Sequence, residues 1–155
     1  MTEDAVTDST CLIALDRINQ LHLLSSVFSN VFAPPAVVQE LGKQFAFLTI
    51  TPVGNPALVQ VLNTQLDPGE SEAIALSMEL ACRNVVLDDK KARRIANQLG
   101  LRVVGTLGVL LRAKRLGVIA AVAPLLADLR AKGFHMTTAL EEKALRLAEE
   151  ETSKT

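Results

Sequence analysis

The fold is indicated most clearly by residues 84–99, which read NVVLDDKKARRIANQL. The run from Asn84 to Leu87 is apolar enough for a buried strand, and Asp88 and Asp89 end it. The residues that follow repeat apolar side chains at helical spacing. A buried strand that leads directly into an amphipathic helix is the building unit of an α/β protein with a parallel sheet.

The same alternation of strand-like and helical patterns extends outward in both directions. Further strands are predicted at residues 5–8, 31–33, 47–51 and 101–104. Helices are predicted to begin at or after Thr10, Pro34, Asn55, Asp67 and Gly105, with two more at Val118–Lys132 and after Thr137. Because βαβ units are right-handed, this pattern predicts one three-layer α/β/α domain with a short-stranded, mostly parallel central sheet. Residues 1–133 are expected to form its main body, and residues 134–155 its C-terminal helix and tail.

Composition and length exclude several classes of protein. The chain has 155 residues, of which 49% are hydrophobic and 21% charged, so a core can form and a disordered chain is excluded. No run of about 18 apolar residues occurs, which excludes a transmembrane helix. The acidic, polar start at residues 1–8 is unlike a signal peptide, and Cys11 and Cys82 fit no metal-binding spacing. A reducing, cytoplasmic location is therefore predicted.

Charge is distributed unevenly along the chain, although the net charge is only −1. Residues 1–89 carry 11 acids and 3 bases, whereas residues 90–115 carry 8 bases and no acid. Such asymmetry is typical of proteins that bind phosphate-bearing partners, although solvated helix faces would also produce it.

Acidic side chains follow several predicted strands or lie on the helices that come next. They are Asp8, Glu40, Glu70, Glu72, Asp88 and Asp89. Because the carboxyl ends of parallel strands meet at one edge of a sheet, at least Asp8 and the Asp88–Asp89 pair are expected to converge. Clustered carboxylates repel one another unless a cation neutralises them, and all-oxygen ligands favour Mg²⁺ or Mn²⁺. Each acid also has a simpler interpretation, as a helix cap, a residue favoured at a helix N-terminus or a solvent-facing side chain.

The order and spacing of five stretches resemble the PIN-domain family, metal-dependent nucleases that include the VapC-type toxins of toxin–antitoxin pairs. The matching stretches are TDSTCLIAL at 7–15, PPAVVQEL at 34–41, LDPGESEAIAL at 66–76, VLDDKKARR at 86–94 and GTLGVLL at 105–111. The chain is most similar to a PIN-like bacterial and archaeal group of unknown function. The resemblance implies that residues 1–133 form a PIN-like domain.

The resemblance also implies an acidic tetrad. It consists of Asp8, Glu40, Glu72 and either Asp89 or Asp88, with Glu70 as a neighbour able to share the role of Glu72. Asp8 and Asp89, or Asp88, would hold a Mg²⁺ or Mn²⁺ ion, and Glu40 and Glu72 would bind it through water or orient the attacking water. Thr10 supplies the hydroxyl that the family often carries two residues after its first aspartate, although the related group has Ser-Pro where Thr10-Cys11 stand here.

The implied activity is metal-dependent cleavage of RNA by an endoribonuclease, which leaves 5′-phosphate and 3′-hydroxyl ends. The protein would then be the toxin of a toxin–antitoxin pair, with a small antitoxin protein as its partner. The alternative is a degenerate PIN-like module that binds RNA or a protein without cutting. A receiver-like signalling domain is a weaker interpretation, because no phosphoacceptor strand with a partnering lysine is evident.

The basic segment fits an RNA substrate. Lys90, Lys91 and Arg93 directly follow the acidic strand end and are predicted to contact phosphates without reading bases. Arg112, Lys114 and Arg115 are better explained as a solvated helix face. The chain has no Trp, no Tyr and only five Phe, most of them in apolar stretches, so RNA specificity is predicted to come from backbone shape or a partner and not from an aromatic surface.

A homodimer is predicted from the leucine-rich segments near the C-terminus. Apolar side chains there exceed what one small sheet obviously needs to cover, namely Leu107, Val109, Leu110, Leu111, Leu125, Leu126 and Leu129. His22 and His135 each lie far from the acids in sequence and are not predicted to take part in catalysis.

Overall fold

The computed structural model describes residues 3–150. Five short parallel strands form one sheet in the order β3-β2-β1-β4-β5. The strands are β1 (Ala5–Thr7), β2 (Val31–Ala33), β3 (Leu48–Ile50), β4 (Asn84–Val86) and β5 (Arg102–Val104). The predicted α/β fold with a parallel sheet is confirmed.

Helices connect the strands and continue beyond the last one. They are α1 (Ser9–Arg17), α2 (His22–Val27), α3 (Pro35–Leu41), α4 (Pro56–Asn63), α5 (Pro68–Glu79), α6 (Lys90–Gln98), α7 (Thr106–Arg115), α8 (Ala123–Ala131) and α9 (Thr138–Leu147). None of the helices within residues 3–150 is long and apolar enough to cross a membrane.

Two hydrophobic cores cover the two faces of the sheet. Alternate strand residues such as Ala5 and Val86 face one core, which is completed by α1, α2, α3, α7, α8 and α9. Their neighbours Val6 and Val85 face the other core, which is completed by α4, α5 and α6. Because side chains alternate along a strand, β1, β2, β4 and β5 contribute to both layers although each has only three residues. The three-layer arrangement follows.

Helix boundaries mostly agree with the sequence patterns, with two corrections. The helix expected to begin at or after Thr10, with Thr10 as its capping residue, begins at Ser9 instead, and Asp8 caps it by accepting a hydrogen bond from the Cys11 N–H. The helix predicted at Val118–Lys132 begins only at Ala123. Pro124 explains the difference, since a proline inside a helix starting at Val118 would remove a backbone hydrogen bond and clash with the preceding turn.

Most of the leucines from which a homodimer is predicted pack within the protein's own hydrophobic core. Leu107, Leu110, Leu126 and Leu129 are buried in the core shared by α7 and α8, and Leu111 and Leu125 pack against it. These leucines are therefore not available to a dimer interface, and the homodimer remains an untested prediction.

The order of the strands determines where a site can form. The chain runs outward from β1 through β2 to β3 on one side, and from β4 to β5 on the other, so the order reverses between β1 and β4. Open parallel sheets bind ligands at the carboxyl ends of their strands, at this reversal. The order also differs from the 2-1-3-4-5 order of receiver-like folds, which removes that alternative.

Candidate active site

Asp8 lies at the reversal point, directly after β1. Thr7 pairs with Val86 of β4, and the Asp8 N–H donates to the Val86 carbonyl at 3.3 Å. The side chain is only 2% exposed, and its carboxylate accepts a long bond of 3.5 Å from the Cys11 N–H. Burial raises the pKa of Asp8 well above its ordinary value, and the negative charge of Asp88 raises it further. A carboxylate with so little compensation is the strongest sign of a functional site in this fold.

Asp88 and Asp89 follow β4, the neighbouring strand, as the sequence pattern predicts. The two oxygens of Asp88 accept bonds from the Thr106 N–H at 2.8 Å and from the Thr106 hydroxyl at 2.6 Å. A Cβ added to Gly105 would lie 3.1 Å from Asp88 Oδ1 and 3.5 Å from an Arg93 guanidinium nitrogen, so the glycine leaves room for both groups. Burial raises the pKa of Asp88, although the Thr106 bonds and the positive charge of Arg93 oppose the shift.

Asp89 is more accessible than Asp88. It caps α6, and its Oδ2 accepts a bond of 2.9 Å from the Ala92 N–H. This bond uses one carboxylate oxygen, so the other remains available to a ligand.

Glu70 is coupled to the other acids, whereas Glu72 is held elsewhere. Burial raises the pKa of Glu70 to about 7, and the charges of Asp67, Asp89 and Glu40 contribute to the shift. Glu72 lies two residues further along α5, where burial raises its pKa and a backbone hydrogen bond with Ala36 at the start of α3 opposes the shift. The family resemblance assigns a position of the tetrad to Glu72, but it is Glu70 whose charge acts on Asp8.

Glu40 reaches the cluster from α3. Its carboxylate accepts a hydrogen bond from the Ser9 hydroxyl at the start of α1. A Cβ added to Gly69 would lie only 2.6 Å from Glu40 Oε1, so the glycine permits this close approach to α5. Two helices, α3 and α5, and the ends of two strands, β1 and β4, thus bring acids to one edge of the sheet.

The donor set fits a hard divalent cation in its chemistry. The groups are carboxylates, and the raised pKa values of Asp8, Asp88 and Glu70 show that their charges are poorly balanced. Within residues 3–150, no three acidic, histidine or cysteine side chains are already gathered closely enough to hold a metal ion. For an ion to bind beside Asp8, an accessible side chain such as Asp89 or Glu70 would have to reorient toward it.

A cleft of about 1100 Å³ opens beside the acids. Glu70, Asp88 and Asp89 line it together with Thr10 and with cationic side chains from several elements, which are Arg17, Lys90, Arg93, Lys132 and Lys143. A second depression along α6 shares Lys90 and Arg93 with the cleft and continues over Arg94, Asn97 and Gln98. The acidic edge is therefore bordered by positive charge on two sides, as a phosphodiester substrate would require.

Other members of the basic segment have internal partners. Lys114 forms an ion pair with Glu150 at 2.9 Å, and the Arg112 guanidinium lies 5.5 Å from the centre of the Phe28 ring. Arg102 pairs with Glu3 at the opposite edge of the sheet. Lys91 is exposed but does not line the cleft. Arg112 and Lys114 therefore differ from the solvated helix face predicted for them, because both are half-buried and contact partners within the chain, and neither lines the cleft.

Cys11 is packed beneath the acidic edge. Its thiol is fully buried, and burial together with the charges of Asp88 and Asp8 raises the pKa of the thiol well above its usual range. The thiol therefore stays protonated at neutral pH and is unsuited to act as a nucleophile.

Sequence reasoning missed the cleft wall formed by the end of α8, the following loop and α9. This wall brings Lys132, Phe134, His135 and Lys143 to the same cavity as Asp88. It also missed Asp67, whose charge raises the pKa of both Asp8 and Glu70. The only signal for Asp67 was its capping position before Pro68, and nothing in the local pattern of residues 132–143 points toward residues 88–93.

The comparisons with known proteins agree with this geometry. A family model described as a PIN domain matches residues 4–150. The searches of curated proteins and of solved structures gave no match. The PIN domain is a nuclease-type fold, and PIN domains in general use divalent metals. With the match extending over nearly the whole chain, the protein belongs to the PIN-domain family.

Proposed function

We propose that this protein is a metal-dependent endoribonuclease that hydrolyses RNA phosphodiester bonds. The observation that carries the proposal is the buried, poorly compensated carboxylate of Asp8, whose charge is coupled to that of Asp88. Asp8 itself does not line the cleft, but Asp88 does, together with cationic side chains. Acids that need a cation and bases that attract phosphate are the two components of metal-assisted phosphodiester cleavage.

The chain supplies the ligands and the positioning groups. Asp8 and Asp89 are the proposed ligands of a Mg²⁺ or Mn²⁺ ion, with Asp88 held beside them by Thr106. The ion would activate water and stabilise the charge that develops on the phosphate. Glu70 and Glu40 would orient the attacking water. The P–O3′ bond would break, so the products would carry a 5′-phosphate and a 3′-hydroxyl.

The direct test is cleavage of a single-stranded RNA by the purified protein with Mn²⁺ or Mg²⁺. We expect cleavage that stops when EDTA is added and products that are ligatable through their 5′-phosphates. Products with 2′,3′-cyclic phosphate ends would contradict the proposal, because they arise by attack of the 2′-hydroxyl instead of water.

Glu70→Gln and Glu72→Gln form a matched pair on α5. Both variants keep a side-chain oxygen, so the cap at Asp67 and the backbone bond with Ala36 can persist. We expect Glu70→Gln to lower the rate of RNA cleavage by about 10- to 100-fold, the range found when groups that support a metal site are removed. Glu72→Gln should stay within about 3-fold of the parent, well below that range. If Glu72→Gln lowered the cleavage rate more than Glu70→Gln, Glu72 and not Glu70 would be the member of the acidic tetrad on α5.

Lys90 and Lys91 open α6, where positive charge is unfavourable against the helix dipole. Their replacement by alanine should therefore leave the fold intact. We expect Lys90→Ala/Lys91→Ala to weaken binding of all single-stranded RNA sequences equally, and to lower the slope of log K against log salt by about 0.7 for each phosphate that the variant no longer neutralises. Titrations at several salt concentrations measure this, with the exposed Arg115→Ala variant as control. A weakening confined to one RNA sequence would contradict binding to the RNA backbone.

The role as toxin of a toxin–antitoxin pair, with a small antitoxin as partner, is part of the proposal and rests on the family. We expect induced expression of the protein to arrest growth of a bacterial host, and Asp8→Asn to relieve the arrest. Growth arrest that persists in Asp8→Asn would favour the alternative, a PIN-like module that binds RNA or a protein without cutting it.

A further inference from the structure

We propose that Phe134 is the stacking platform for a nucleobase of single-stranded RNA bound in the cleft. The inference rests on the proposed ribonuclease function and adds a recognition site to it. Phe134 is half-buried and lines the same cavity as Glu70 and Asp89. The other four phenylalanines lie elsewhere, so this ring is the phenyl group that the described part of the cleft offers.

The backbone at the end of α8 holds Phe134 in a fixed place. Gly133 adopts the left-handed conformation, with φ of +87°, directly after the helix. The Phe134 N–H then donates to the Leu129 carbonyl at 2.9 Å, and the Gly133 N–H to the Arg130 carbonyl at 3.1 Å. This pair of bonds is a Schellman motif, which fixes the exit direction of the chain. The ring is therefore attached to an ordered point of the fold.

The charges around the ring identify the occupant. Arg17, Lys132 and Lys143 line the cleft with Phe134, and Lys90 and Arg93 line its other wall. A flat, half-buried phenyl ring surrounded by cations suits a nucleotide, because the base can stack on the ring while the phosphates pair with the cationic side chains. The cleft, at about 1100 Å³, exceeds the roughly 300–1,000 Å³ of pockets that enclose one small ligand, so it has room for an extended strand.

Phe134 also packs against the hydrophobic core that contains Leu129, and an apolar contact of this kind often accompanies a Schellman motif. Packing is therefore the simpler role for this ring. Leucine at position 134 would keep that contact but could not stack with a base. Phe134→Leu therefore separates the two roles, and Phe134→Ala removes both. Phe45→Ala is the matched control, because Phe45 is also half-buried but packs against Phe47, outside the cleft.

The experiment measures binding without cleavage, using the full chain with Asp8→Asn as background. The probes are a short labelled single-stranded RNA and versions with one base at a time replaced by an abasic ribose. We expect Phe134→Leu and Phe134→Ala to weaken binding of the intact RNA by about 5- to 150-fold, the range for one base–aromatic stack. One abasic position should weaken binding similarly when Phe134 is present, and should cause no further weakening in either variant.

The outcomes separate this inference from the proposed function. The stacking role would be overturned if Phe134→Leu bound RNA as tightly as the background protein. It would also be overturned if the losses of affinity caused by the variant and by the abasic site multiplied as independent effects do. Neither result would contradict the ribonuclease proposal. Failure of the background protein to bind any RNA would overturn both. Equal weakening by Phe45→Ala would overturn the stacking role by showing a general loss of folding, which thermal melts of each variant detect independently.

Discussion

Asp8→Asn is expected to abolish RNA cleavage while preserving the fold. The amide has the same shape as the carboxylate and can still accept the cap bond from the Cys11 N–H. It removes the most buried acid of the site, and we expect a loss of at least about 100-fold in rate, as for removal of a single group that stabilises transition-state charge. The measurement is single-stranded RNA cleavage with Mn²⁺ by parent and variant purified in parallel.

The same substitution should raise the stability of the metal-free protein at pH 8. The raised pKa of Asp8 means that its charged form is unfavourable in the fold, and asparagine carries no charge. Each kcal/mol gained would raise Tm by about 2–4 °C in a chain of this size. The advantage of the variant should shrink as the pH is lowered, because protonation of Asp8 removes the unfavourable charge from the parent. Equal cleavage by the two proteins would reveal a contaminating nuclease, and a lower Tm would contradict the charge argument.

Metal removal is expected to make the stability of the protein depend strongly on pH. The pKa values of Asp8, Asp88 and Glu70 are raised in the fold, so the folded state binds more protons than the unfolded state. The stabilisation is complete below the unfolded values of 3.8 and 4.5, and it is lost as pH rises through the folded pKa values, about 7 for Glu70. Without metal, Tm should therefore fall between pH 5 and pH 8.

Addition of Mn²⁺ or Mg²⁺ should reverse this fall, because an ion favours the charged carboxylates. At 100 times Kd, binding to the folded state alone adds about 2.7 kcal/mol, or about 5–11 °C in Tm. Thermal melts across pH, with EDTA or with each metal, measure both effects, and Asp8→Asn serves as the control in which both should be smaller. A metal-free Tm that rises from pH 5 to pH 8 and does not respond to metal would contradict a cation site at these acids.

Local sequence patterns were sufficient for much of the secondary structure. The pairs Asn55-Pro56 and Asp67-Pro68 located the starts of α4 and α5, and the apolar run before Asp88 located β4. The local patterns gave wrong helix starts where two residues or patterns favoured different starting points. Thr10 and Asp8 are both good capping residues, and only the path of the chain out of β1 decided that Asp8 takes the role. The apolar residues before Pro124 led to a predicted helix that starts at Val118. In the fold, Pro124 lies in the first turn of α8, which starts only at Ala123.

The candidate site was only partly predictable for the same reason. The positions of Asp8 and Asp88 followed from the rule that parallel strands end at one edge. The choice between Glu70 and Glu72 depends on how α5 is rotated against the sheet, because residues two apart on a helix point in different directions. A local pattern gives the periodicity of a helix but does not fix that rotation when, as in α5, most positions are buried.

The sequence alone determined the α/β class, the acids at the strand ends and the switch from acidic to basic charge after Asp89. These properties depend on residues that are close together along the chain. The tertiary structure decided that residues 129–143 form the second wall of the cleft and that Phe134 lines the same cavity as Glu70. Such contacts join segments far apart in the chain, and they depend on how whole helices pack, which the spacing of apolar residues within each helix does not specify.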